Sequence, residues 1–149
     1  MRLRTILVSS LLALTAAASV AVAANAAYAT STLKTRHAKL GTYVVDGKGL
    51  SLYLFEKDKG KKSSCYGACA KVWKPLTAKG TPTAGAGLKR ALLSTTRRTD
   101  GTKQVTYGGH PLYYYDDDHK AGQTEGQGVK EFGAKWYVVQ PSGKKIDTT

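Results

Sequence analysis

Acidic residues are scarce in this 149-residue chain, with 10 Asp plus Glu against 23 Lys plus Arg. The formal net charge of +13 excludes an acidic, cation-storing surface and favours anionic partners, although charge by itself also serves solubility. Cysteine is nearly absent. The only two, Cys65 and Cys69, are too few for a Cys-based zinc site and too few for a disulfide-dense scaffold. Long apolar runs are missing after the first residues, so nothing further along is long enough to cross a bilayer as a helix. The chain also lacks a G-x-S-x-G elbow, an H-E-x-x-H helix and a phosphate-cradling glycine loop, which removes the common hydrolase and nucleotide-binding signatures.

What is present begins with a leader. Met1-Arg2-Leu3-Arg4 is basic, Ile6 to Val22 carries no charge, and A-x-A patterns follow at Ala21–Ala23, Ala24–Ala26 and Ala27–Ala29. That order predicts a signal peptide over residues 1–29, with export of the remainder. Loss of Arg2 and Arg4 leaves 21 basic against 10 acidic side chains, or +11. Export implies an oxidising compartment, so Cys65 and Cys69 are expected to pair and to pin a turn or a first helical turn.

The strongest organisational signal is a duplication. Gly49-Leu50-Ser51-Leu52-Tyr53-Leu54-Phe55-Glu56-Lys57-Asp58 aligns without gaps on Gly109-His110-Pro111-Leu112-Tyr113-Tyr114-Tyr115-Asp116-Asp117-Asp118, at an offset of 60. Each copy then runs through a Gly-containing loop to a tryptophan, Trp73 and Trp136. Both copies carry Tyr-x4-Asp, as Tyr53/Asp58 and Tyr113/Asp118. Two copies are too few for a solenoid and predict a compact pseudo-symmetric domain.

Local patterns favour strands at Thr42–Val45, Leu50–Glu56, Leu92–Arg97, Gln104–Tyr107, His110–Tyr115 and Lys135–Val139. Asp46–Gly49 and Gly108-Gly109 read as hairpin turns. Only Cys65–Trp73 and Val129–Phe132 look helical. The fold class is therefore mainly β: two hairpin-based repeats with one short helix or turn at the cysteine pair. The expected division is a flexible basic tail at 30–39, then one domain over 40–146. Within that domain, repeat one is 40–76, a linker is 77–90, and repeat two is 91–146. Strand alternation points Tyr53, Phe55, Tyr113 and Tyr115 to one face and Leu52, Leu54, Leu112 and Tyr114 to the other. Tyr53, Tyr113, Trp73 and Trp136 are accordingly expected in the core, and Asp58 and Asp118 are expected to close the turns that follow their strands.

These residues, with Ser64-Cys65-Tyr66-Gly67-Ala68-Cys69-Ala70, Trp73-Lys74-Pro75-Leu76, Asp100 to Tyr115, Gly122-Gln123-Thr124 and Trp136-Tyr137-Val138-Val139, resemble a family of bacterial secreted repeats and predicted lipoproteins marked by a tandem Y-x4-D motif. Many relatives carry a lipid-accepting Cys after the leader and Pro-Pro after the first Trp. This chain has no such Cys and reads Lys74-Pro75. The resemblance implies fold and location, and a non-lipidated member; the family has no settled function.

Three functional readings follow. The first is a non-catalytic, envelope-associated module, expected to be a monomer, that binds an anionic cell-wall polymer or an envelope protein, with no specific nucleic-acid role. The second is a metal-binding or redox-related protein. Its weak candidates are His110, Asp116, Asp118 and His119, which lack the spacing of a calcium loop. The third is an enzyme using Asp58 and Asp118 as an acid–base pair, which would need pseudo-symmetry to bring them into one cleft. The first reading is preferred, with no cofactor and no catalytic residue assigned.

Overall fold

The computed structural model describes residues 31–148; the expected signal peptide lies outside the described residues. Strands dominate, in the order β1 (Thr32–Ala38), β2 (Gly41–Asp46), β3 (Tyr53–Phe55), helix α1 (Ala68–Val72), β4 (Trp73–Pro75), β5 (Thr83–Ala84), a 3-10 turn (Arg90–Leu92), β6 (Leu93–Arg97), β7 (Lys103–Tyr107), β8 (His110–Pro111), β9 (Tyr113–Tyr115), β10 (Lys130–Glu131) and β11 (Ala134–Val138).

They form a central five-stranded sheet, β10-β11-β3-β9-β4, flanked by the three-stranded sheets β2-β1-β5 and β6-β7-β8. In the central sheet the two repeats alternate. β3 of the first copy pairs with β11 and β9 of the second, and β9 pairs in turn with β4 of the first. At the pseudo-two-fold centre Tyr53 faces Tyr113; outward from it Phe55 faces Trp136 and Tyr115 faces Trp73. The flanking sheets are attached by the same exchange. The Val44 amide donates to Val139 O at 2.8 Å, and the equivalent Val105 amide donates to Leu76 O at 2.8 Å.

Period-two alternation sorts the side chains into two cores. Leu52, Leu54, Leu112, Val44, Val105, Tyr137 and Val139 pack on one face of the central sheet. Tyr53, Phe55, Tyr113, Trp73, Trp136 and Val138 pack on the other, with both cysteines. Cys65 and Cys69 are bridged beside the short helix, as their compartment and spacing predict.

Three expectations need correction. Residues 30–39 are not a loose tail: Thr32–Ala38 pairs along its whole length with Gly41–Asp46. Leu33 is fully buried while Lys34 and Arg36 stay exposed, so the basic side chains occupy the wet positions of a strand. The stretch 77–90 is not a bare linker, because Thr83–Ala84 adds in parallel to Thr32–Leu33 and Ala78 is buried. Val129–Phe132 is not helical; Lys130–Glu131 pairs with Ala134–Lys135 as a tight hairpin. Among the described basic side chains Arg98 stands apart, buried at 4% exposure.

Candidate functional site

The two Tyr-x4-Asp motifs meet crosswise. The Tyr53 hydroxyl donates to Asp118 Oδ2 at 2.5 Å, and the Tyr113 hydroxyl donates to Asp58 Oδ2 at 2.8 Å. Each tyrosine therefore bonds the aspartate of the other copy. Each aspartate also closes its own loop with its second oxygen. Asp58 Oδ1 accepts the Ser64 amide (2.7 Å) and hydroxyl (2.9 Å), and Asp118 Oδ1 accepts the Glu125 amide (2.9 Å). The expectation of turn closure omitted the bond between copies. Asp58 and Asp118 end two separate turns, each bonded to a different tyrosine. Burial pushes the phenols of Tyr53 and Tyr113 far above their usual range, and the facing carboxylates add to the shift, so both remain protonated donors. Burial also raises Asp58, against hydrogen bonds from Ser64 and Tyr113 that lower it.

Beneath this clasp runs a stack of four rings, two from each copy. Phe55 lies on Trp136 (3.9 Å between centroids), Trp136 on Trp73 (4.0 Å) and Trp73 on Tyr115 (4.2 Å). Tyr53 and Tyr113 meet Trp73 and Trp136 edge-on, at 5.4 and 5.1 Å. Such offset and edge contacts add to the burial of large apolar rings. Tyr53, Tyr113, Trp73 and Trp136 all have no exposed surface. Glu131 satisfies both indoles: its carboxylate accepts Trp73 Nε1 at 2.8 Å and its carbonyl accepts Trp136 Nε1 at 3.3 Å. Gly126 closes the packing, since a Cβ there would come within 2.7 Å of the Trp73 ring and 3.0 Å of Tyr53.

Sequence reasoning missed the polar support of this core. Buried Arg98 donates to Cys65 O (2.7 Å), Gln104 Oε1 (2.8 Å) and Ser63 Oγ (2.9 Å). The Ser63 hydroxyl is in turn hydrogen-bonded to the Tyr113 hydroxyl at 2.7 Å. No motif marks Arg98; its only sequence signal is its place just before the Asp100-Gly101 turn that ends the β6–β7 hairpin.

The metal candidates do not converge. Asp116 is paired with Lys74 Nζ at 2.5 Å, which holds its carboxyl below the usual range. Asp118 is engaged as above. His110 sits opposite Tyr107 on β8, is lowered by burial and feels the charge of Asp58, while His119 is exposed. Among the described residues no three His, Cys, Asp or Glu side chains form a metal-holding group.

Two of the surface clefts lie among the described residues. One of about 260 Å³ is lined by Leu50, Lys74, Tyr114, Tyr115, Asp116 and Asp118. Its polar groups are already partnered: Lys74 by Asp116, and Tyr114 by Asp46 at 3.1 Å. Burial and then the bond to Asp117 push Tyr115 up to about 12. The other, of about 320 Å³, lies between the segment before β5 and the β6–β7 hairpin. Gly80, Thr81, Pro82, Arg90, Leu93, Ser94, Thr95 and Lys103 line it, with Arg90 and Lys103 exposed and Leu93 buried at its floor. None of these described lining residues is acidic. Cations beside hydroxyl donors, with no competing carboxylate, suit an anionic ligand such as a phosphate oxygen.

Residues 34–77 and 94–140 match the model of a family described as a secreted repeat of unknown function. No curated protein and no solved structure matches the chain.

Proposed function

Because the chain belongs to the family of secreted repeats of unknown function, with its two matched stretches spanning more than half of the sequence, we propose that it is a non-catalytic module of the cell envelope. It binds a phosphate-bearing surface polymer in the groove lined by Arg90 and Lys103. The observation that carries this reading is the composition of that groove: two exposed cations and the hydroxyls of Thr81, Ser94 and Thr95 around an apolar floor. The net charge of +11 left after loss of Arg2 and Arg4 draws a polyanion toward any such site from a distance. Conversely, the Tyr-x4-Asp residues that looked most like chemistry serve as structural bonds, so none is left as an acid–base pair. Among the described residues no helix is long and apolar enough to cross a membrane. Attachment to the envelope is through the groove, with both cysteines of the sequence engaged in the Cys65–Cys69 bridge.

Binding of purified protein to an immobilised phosphodiester polymer across a salt series tests this. Affinity should fall steeply as salt rises. The double substitution Arg90→Glu/Lys103→Glu should weaken binding by about tenfold or more, from the loss of two charge-assisted contacts. Salt-independent binding, or wild-type affinity in the double variant, would refute the proposal.

A further inference from the structure

Phe132 is the one large hydrophobic side chain exposed among the described residues, at 39%. It stands at the tip of the β10–β11 hairpin, with φ at 54°, the only positive φ at a described non-glycine residue. An aromatic residue is disfavoured in that left-handed region, where glycine or asparagine would sit at ease. An aromatic residue in a strained conformation is therefore held at the tip with more than a third of its surface open to solvent.

Its surroundings are cationic. Lys130 and Lys135 face each other across the hairpin, one pair further from the tip than Glu131 and Ala134. Lys57 reaches over from the end of β3, donating through Nζ to Phe132 O at 3.2 Å. Lys59, Lys61 and Lys62 follow Lys57 in an exposed turn. The acid in the hairpin, Glu131, turns its carboxylate inward to Trp73, so it does not neutralise the tip.

We propose that this hairpin is a membrane-docking finger that inserts Phe132 into the surface of an anionic phospholipid bilayer while its lysines meet the lipid phosphates. The two halves of the feature fit that occupant together. The ring reaches the apolar layer just below the headgroups, and long lysine side chains hold their ammonium groups at headgroup level. Each lysine near an anionic bilayer adds favourable electrostatic energy. A hydrophilic polyanion would use the lysines but has no place for the ring. The finger is built from elements other than those lining the Arg90–Lys103 groove.

Co-sedimentation of the protein collected from a secreting host decides this, using phosphatidylglycerol/phosphatidylcholine vesicles against phosphatidylcholine alone. Binding to the anionic vesicles should exceed binding to the neutral ones. Phe132→Gly should lower partitioning onto anionic vesicles by about tenfold or more while leaving the melting temperature equal or higher, because glycine relieves the backbone strain. Lys130→Gln/Lys135→Gln should weaken anionic-vesicle binding, and Arg90→Gln/Lys103→Gln, which removes the same charge from the groove, should weaken it less. The proposal is overturned by equal binding to both vesicle types or by wild-type partitioning of Phe132→Gly. It is equally overturned by a lowered melting temperature in Phe132→Gly, which would make the ring a packing residue, or by a loss of vesicle binding in the groove variant as large as in the lysine variant.

Discussion

Tyr53 and Tyr113 carry most of the information in the fold, because each has two duties. Its ring packs edge-on against a tryptophan of its own copy, and its hydroxyl crosses to the aspartate of the other. Burial of the rings was legible from strand alternation. The identity of the hydroxyl's partner was not, since an offset of 60 says which residues are equivalent and not which copy supplies the contact. Arg98 was illegible for a related reason: a buried cation becomes readable only once its acceptors, Cys65 O and Gln104, are assembled around it. The crosswise bonds predict a specific pattern of coupling. Tyr53→Phe and Asp118→Asn should each destabilise by about 1–3 kcal/mol, because each leaves a shielded polar partner unsatisfied. In urea unfolding the double variant should show a coupling energy of about 0.5–3 kcal/mol. Tyr53→Phe with Asp58→Asn, the two ends of one motif, should be additive to within about 0.5 kcal/mol. Coupling inside the motif and none across it would mean the bonds are wrongly assigned.

At the level of elements, hairpins announced by turn chemistry were readable. Gly108 and Gly109 both adopt positive φ between β7 and β8, as a tight turn requires. β1 was not readable, because its alternating Lys34 and Arg36 resemble a solvated tail when Leu33 is read alone. What makes it a strand is tertiary: it lies between β2 and β5, with Leu33 in the leucine–valine core. The same holds for Val129–Phe132, too short for any local preference to win against pairing with β11. The β1 assignment predicts that Leu33→Ala costs about 2–5 kcal/mol in chemical denaturation, as for other large-to-small core changes. A flexible tail would give no change within error.

Across the whole molecule, the duplication does more than repeat a unit. Because β3, β9, β4 and β11 alternate by copy, and because Phe55, Trp136, Trp73 and Tyr115 stack with two rings from each, neither copy can complete its sheet or its core by itself. This arrangement consumes the conspicuous residues of the motif in structure and leaves the proposed binding to surface features that the repeat does not duplicate. Arg90 and Lys103 belong to the second copy and its approach, and Phe132 belongs to the hairpin that has no paired counterpart beside Trp73. The basic excess was plain from composition, whereas its sorting into a groove and a finger depended on which loops the interlaced sheets bring together.

Separating the copies tests the interlacing directly. Fragments 31–87 and 88–148, divided between β5 and the Arg90–Leu92 turn, can be produced apart and recorded by NMR, first alone and then mixed. Interlaced copies should give collapsed, poorly dispersed spectra for each fragment alone and a native-like, dispersed spectrum on mixing. A dispersed spectrum and a cooperative melting transition from either fragment alone would contradict it.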